Sequence, residues 1–166
     1  MKVPPLRSRI SPAELYGALR LSWRCLFGVD PSPDSILVLM AQWALETGHG
    51  KSCYCHNLGN VKSNLKSGDW YFMRCWEIID GEKVWIDPDN PGCAFKAYND
   101  LFTATLAHLE TLSIRYAKSW SAVLAGDPSQ FCALLKKQYY YSGNEAEYTS
   151  SVVSIYNSYK KLLRVA

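Results

Sequence analysis

The stretch from Asp34 to Thr47 is apolar almost all round, and a glycine-rich turn follows it at once. Leu37, Leu39, Met40, Ala41, Trp43, Ala44 and Leu45 leave no polar face, so the helix they form has to be buried by the rest of the chain. A fold built on this sequence therefore wraps around one central helix. The helix ends in Glu46-Thr47-Gly48-His49-Gly50-Lys51-Ser52. Glu46 is packed on its helix side and faces a backbone with few side chains on the other. A carboxylic acid in such a place is poised to stay protonated and to give its proton to a substrate oxygen. The structural alternative is an ordinary Glu before a glycine C-cap.

Helical texture flanks that segment. Ser11-Pro12-Ala13-Glu14 has the N-cap, first-turn Pro and third-position Glu of a capping box. Leu15, Ala18, Leu19, Trp23, Leu26 and Phe27 then recur at helical spacing, and Gly28 ends the run. Asp30-Pro31-Ser32-Pro33 is a rigid connector, after which Asp34 or Ser35 starts the central helix. Helical periodicity returns from Asp100, breaks at Gly126-Asp127-Pro128, and ends in a helix from Glu145 to Leu163. Tyr148, Val152, Ile155, Tyr159 and Leu162 share one face of that last helix.

Between Gly48 and Asn99, Gly, Asn, Asp and Pro punctuate short aromatic and β-branched runs. Tyr71 to Ile79 and Lys83 to Ile86 read as strands of a hairpin, with Asp80-Gly81 supplying the positive φ angles. Ala94 to Tyr98 reads as a third strand. The expected architecture is α+β and predominantly helical: one domain over 1–166, with a small antiparallel β-lobe at about 66–98 inserted after the central helix.

Bulk properties narrow the function classes. At 166 residues the chain is long enough for one real core, and 48% hydrophobic with 20% charged residues is a globular composition. A net charge of +3 suits an anionic polymer such as a cell wall. No basic run or base-stacking motif supports a nucleic-acid partner. The longest apolar run, Ile36 to Met40, is too short to span a bilayer, so no membrane insertion is expected. Met1 to Ser11 lacks the apolar core of a secretory leader, which implies a leader missing from this sequence or delivery by a phage or specialised secretion route.

The six cysteines are Cys25, Cys53, Cys55, Cys75, Cys93 and Cys132. Cys25 and Cys132 lie in helical apolar stretches and read as small core residues. Cys53-Tyr54-Cys55-His56 lacks the spacing of common structural zinc sites, so no metal is expected. A disulfide within the turn-rich middle is expected instead. Trp70, Tyr71, Phe72, Trp76 and Trp85 crowd that same middle, either packing a core there or lining a groove where aromatic faces would stack on sugar rings.

Glu46 with its Gly-x-Gly-Lys-Ser turn, followed by Asn57-Leu58-Gly59-Asn60-Val61-Lys62, resembles the signature of the bacterial β-N-acetylglucosaminidase family. That family includes flagellar rod-cap muramidases and wall autolysins of the lysozyme-like superfamily. Its motif runs Ala-Leu-Glu-Ser/Thr-Gly-x-Gly-x-Ser and then Asn-x-Phe-Gly-x-Lys. Here Leu58 replaces the Phe, and Asn60 replaces an apolar residue. Phe95-Lys96-Ala97-Tyr98, the Asp100–Tyr116 segment with His108, and Tyr139-Tyr140-Tyr141 before Tyr148 resemble later family elements.

The resemblance implies a lysozyme-like domain, a monomer, that cleaves β-1,4 glycosidic bonds of peptidoglycan in the periplasm or on the wall without a cofactor. Glu46 would be the general acid. Glu77, before the hairpin turn, stands where the family places its second acid; Asp80 and Glu82, which build the turn, are poorer candidates, and Asp69 is a further alternative. Trp70 and Trp76 would stack on sugar. Asn57 would cap the turn or line the groove, and Tyr140 or Tyr141 would hold the acetamido group or water. His49 and His56 flank the site without a required role, and His108 reads as structural. The rival readings are a lytic transglycosylase using Glu46 alone and a non-catalytic wall-binding or assembly module.

Overall fold

The computed structural model describes residues 1–164. Six α-helices carry the core: α1 (Pro12–Phe27), α2 (Pro33–Thr47), α3 (Leu101–Glu110), α4 (Ala117–Ala125), α5 (Pro128–Lys137) and α6 (Glu145–Arg164). Four short strands fall between α2 and α3: β1 (Asp69–Phe72), β2 (Cys75–Ile79), β3 (Glu82–Ile86) and β4 (Ala94–Ala97).

Local chemistry sets the helix ends. At α1 the Ser11 hydroxyl accepts from the Glu14 N–H at 3.2 Å, and the Glu14 carboxylate accepts from the Ser11 N–H at 2.8 Å. This closes the capping box and satisfies two N–H groups that the first turn leaves without helical partners. Leu15, Leu19 and Trp23 form its buried stripe. The central helix begins one residue earlier than expected, with Pro33 in the first turn and the Ser32 hydroxyl accepting from the Ser35 N–H at 3.0 Å.

Every residue of α2 from Ser35 to Ala44 is buried, and the helix packs against α1, α4 and α6. Burying one large aliphatic side chain stabilises by about 1.5–3 kcal/mol, so α2 is the main organiser of the core. Gly48 ends it with φ 55° and ψ 50°, its N–H bonded to the carbonyls of Ala44 and Leu45. Gly50 has φ 80°, and a Cβ there would come within 3.2 Å of the Trp43 ring. A side chain would strain that backbone and press on the core at once.

The strands form two separate antiparallel pairs. β1 pairs with β4, and β2 pairs with β3. The expected single strand from Tyr71 to Ile79 is thus two strands, broken at Met73-Arg74. The physical reason lies in the small core under this lobe, where Tyr71 stacks on Phe95 at 5.7 Å between ring centroids and so holds β1 on β4. The segment expected as a third strand, Ala94–Tyr98, is β4, and it pairs with β1 rather than with the hairpin. The hairpin itself turns as expected, with Asp80 at φ 53° and Gly81 at φ 83°. Two consecutive positive φ values match the twist of the flanking strands.

Two further expectations need correction. Cys25 is exposed on α1 rather than in the core, while Cys132 is fully buried. All six cysteines are free thiols, so the expected disulfide is not formed; the sulfurs of Cys75 and Cys93 stand 3.7 Å apart.

Candidate active site

Glu46 lies on the last turn of α2, where the helix leaves the core. Its carboxylate opens into a cleft of about 380 Å³ lined also by Gly59, Asn60, Lys62, His108, Arg115, Tyr116, Tyr140 and Tyr141. Among the described residues, Glu46 is the only carboxylate in that lining. The Tyr148 hydroxyl, from the first turn of α6, donates to Glu46 Oε1 at 2.9 Å.

Two opposed effects act on this acid. Burial raises the Glu46 pKa above its ordinary value because the charged form loses its hydration; the Tyr148 hydrogen bond, which the carboxylate accepts best, pulls it back in part. Burial and the neighbouring Glu46 charge push the Tyr148 phenol up in turn, so it keeps its proton and remains the donor.

The cleft floor comes from three segments. Tyr140 is partly buried with its hydroxyl above Gly59, where an added Cβ would lie 3.2 Å from that oxygen and 3.5 Å from His108 Cε1. The glycine therefore leaves the room that the tyrosine hydroxyl occupies. Tyr116 meets the Tyr140 ring edge-on at 4.9 Å. His108 is buried beneath them, its pKa lowered by burial to about 4, with Nε2 lacking a partner. It lies in the cleft floor. Thr111–Arg115 continues α3 as a π-helical turn, the kind of irregularity often found at functional sites, and brings Thr111 and Arg115 to the rim.

The tyrosine triplet divides cleanly. Tyr139 is 93% exposed and takes no part. Tyr140 faces the cleft. Tyr141 lends its ring to the cleft wall, stacked on Tyr148 with centroids 3.8 Å apart, but its hydroxyl donates to the Cys132 carbonyl at 3.1 Å. Within the triplet, Tyr140 is the residue whose hydroxyl is available to a ligand in the cleft.

The loop that carries the second half of the motif is built from inside. Asn57 is fully buried; its amide donates to the carbonyls of Val61 and Lys96, both at 2.9 Å, and its oxygen accepts from the Val61 N–H at 2.8 Å. Of the two roles expected for it, it caps the turn, and it has no surface to offer a sugar. Asn60, at φ 50°, donates to the Glu46 carbonyl at 2.8 Å. Its departure from the family's apolar residue thus has a use: it ties the loop to the open C-terminal end of α2.

Beyond Asn60 and Lys62 the cleft adjoins a second hollow of about 450 Å³, lined by Ser52, Met73, Arg74, Trp76, Glu77 and Trp85 among others. Trp76 and Trp85 face each other across the hairpin, 48% and 50% exposed, and Lys83 covers both rings. Glu77 is half exposed and pairs with Lys62 at 3.2 Å. It is the one carboxylate in the lining of this hollow among the described residues, whereas Asp80 shapes the hairpin turn. Trp70 does not join these groups. It stands on the opposite face of β1 from buried Tyr71, edge-on to Phe72 and beside the Lys2–Val3 segment. Strand alternation, with Tyr71 inward, sends its neighbour away from the cleft.

Tyr148, Asn60, Lys62, Arg115 and Tyr116 are the cleft residues that the sequence reading assigned no role. Asn60 carried a visible signal, since it broke the motif. Tyr148 carried none beyond its place on an apolar helix face.

A buried central helix that ends in a desolvated Glu, with a β-lobe after it and a tyrosine-bearing helix closing the far side, defines the lysozyme-like class. The chain belongs to the glucosaminidase family described as mannosyl-glycoprotein endo-β-N-acetylglucosaminidase, whose model matches residues 33–161. Among solved structures it is similar to a mutant peptidoglycan hydrolase from Sphingomonas sp. A1, at 24% identity and TM-score 0.64, over 92% of this chain and 94% of that one. It is also similar to a C-terminally truncated glycoside hydrolase domain of Salmonella typhimurium FlgJ, at 21% identity and TM-score 0.61, over 90% and 95%. The catalytic domain of the Listeria monocytogenes autolysin Auto gives 18% identity and TM-score 0.61, over 92% and 88%. These likenesses carry the fold. The curated proteins contain no match.

Proposed function

We propose that the protein hydrolyses β-1,4 glycosidic bonds in the glycan strands of peptidoglycan and acts on the cell wall. The observation that carries this reading is the half-buried Glu46 carboxyl, raised in pKa, hydrogen-bonded to Tyr148 and open to a groove. Its family membership and the names of its structural neighbours point to the same substrate class.

Glu46 is the general acid that protonates the leaving oxygen. Tyr148 fixes its orientation, so the proton sits on the oxygen facing the substrate. Tyr140 offers its hydroxyl to the acetamido group or to water. Glu77 is the second carboxylate: it lies on the hairpin beside the hollow that continues the cleft, held by Lys62, and directs the attacking water once a glycan fills the groove. Trp76 and Trp85 provide faces on which sugar rings stack.

One observation favours a second reading. Among the described residues Glu46 has no carboxylate partner in its own cleft, and a lytic transglycosylase needs none. In that case the muramoyl sugar's own hydroxyl attacks, and the product is a 1,6-anhydro sugar. Mass spectrometry of digested peptidoglycan separates the two, since the products differ by one water. Reducing-end products support the hydrolase; anhydro products assign the reaction to Glu46 alone and remove Glu77 from it.

A further inference from the structure

Cys75 opens β2, and Cys93 ends the short 3-10 turn Pro91–Cys93 just before β4. The two sulfurs, 3.7 Å apart, stand where the hairpin meets the other strand pair. The hairpin strands pack chiefly on each other, and among the contacts that tie them to the rest are the Glu77–Lys62 ion pair, the Cys75 thiol on the Gly92 carbonyl at 3.5 Å and the Cys93 thiol, which donates to the Ile86 carbonyl at 2.9 Å. Cys75 lines the hollow beside Trp76 and Glu77, and the Lys62 ammonium donates to its sulfur at 3.0 Å. The other middle cysteines are engaged elsewhere, Cys53 with the Asn57 carbonyl and Cys55 with the Pro4 carbonyl.

We propose that Cys75 and Cys93 form a redox cross-link site, whose disulfide pins the hairpin bearing Trp76 and Glu77 to the β1–β4 pair. The sulfurs, at 3.7 Å, have to close to a bonded distance of about 2 Å. The oxidant is an external disulfide. Cys75 is the attacking group, being accessible from the hollow and faced by an ammonium. Its thiolate attacks one sulfur of the external disulfide and expels the other as a thiolate, which takes up a proton. Cys93 then loses its proton to solvent and attacks the Cys75 sulfur of the mixed disulfide, expelling the second external thiolate. Two protein thiols are oxidised and one external disulfide is reduced to two thiols. Lys62 also donates to the Gly92 carbonyl at 2.6 Å and pairs with Glu77 at 3.2 Å. The cross-link stands independently of the proposed reaction.

Peptide mapping of the folded protein after incubation with oxidised glutathione tests this. The expected result is a peptide pair joined through Cys75 and Cys93, two hydrogens lighter than the separate peptides, with the exposed Cys25 carrying glutathione at most. Cys93→Ser should leave Cys75 as a glutathione mixed disulfide without a cross-link. Limited proteolysis within 75–86 should slow severalfold on oxidation of the wild type and be unaffected in the Cys75→Ser/Cys93→Ser protein. Cys75 and Cys93 both still alkylatable after Cys25 has been glutathionylated, or a cross-link through any other pair, would overturn the proposal.

Discussion

The Tyr148 hydroxyl donates to Glu46 Oε1 at 2.9 Å, joining the end of the central helix to the start of the last one across 102 residues of chain. This bond favours the ionised form of an acid that burial favours neutral. Tyr148→Phe removes it and raises the Glu46 pKa further. A general acid works while protonated, so the alkaline limb of the pH–rate profile should move to higher pH. The rate loss at the optimum should stay well short of the about 10²–10⁴-fold expected for losing the acid itself. An unchanged or downward-shifted limb would detach Tyr148 from the acid.

His108 supplies a stability prediction. Burial lowers its folded pKa from 6.5 to about 4, so between those values the unfolded chain binds the extra proton and the folded one does not. Stability from this group is complete above the unfolded value and is lost as pH falls from 6.5 toward 4. The full linkage amounts to about 3 kcal/mol. Urea denaturation across that range should show the loss in the wild type and a flatter profile in His108→Asn. Parallel profiles would mean that His108 titrates normally.

Asn57→Ala should unfold more easily without altering substrate preference. It strands the Val61 N–H and takes a donor from the Lys96 carbonyl, while the Val61 carbonyl keeps the Lys96 N–H, and a buried group left unsatisfied costs about 1–3 kcal/mol. A lower Tm with an unchanged KM is the expected pattern. A raised KM at unchanged Tm would return Asn57 to the substrate.

Gly59→Ala tests the place of Tyr140. Gly59 does not have a positive φ, so its backbone tolerates alanine, but the new Cβ would crowd the Tyr140 hydroxyl at 3.2 Å. The ring must give by a few tenths of an ångström. A full 1 Å misplacement can cost about 10²-fold, so a kcat loss of about tenfold with little change in Tm is expected. Wild-type kcat in Gly59→Ala would exclude a role for that hydroxyl.

The parts legible in the sequence are those fixed by neighbouring residues. Ser11 and Glu14 cap each other, Gly48 stops α2, and Asp80-Gly81 turns the hairpin, because each interaction closes within a few residues. Glu46 was legible for the same reason: an all-round apolar helix followed by glycines states where its last carboxylate emerges. What escaped depends on long-range packing. The Tyr71–Phe95 stack splits one expected strand into two and turns Trp70 away from the cleft. Cys25 has helical spacing suited to a core, yet the stripe that α1 buries is Leu15, Leu19 and Trp23. Tyr148 looks like one more apolar position until α6 is laid against α2. Asn57 and Tyr141 were ambiguous because their hydrogen-bond partners, Lys96 and Cys132, lie 39 and 9 residues away.

The most direct test is peptidoglycan cleavage by Glu46→Gln, with circular dichroism and thermal melting on the same preparation. The amide is nearly isosteric and has no acidic proton to give. At neutral pH the variant should fold at least as stably as the wild type. A carboxyl whose folded pKa is raised binds its proton more tightly in the folded state, so it loses stability as pH rises from its ordinary value of 4.5 through the folded value. The neutral amide avoids that loss. Turnover should fall by about 10²–10⁴-fold. Near-wild-type cleavage by a properly folded Glu46→Gln protein would contradict the account at its centre.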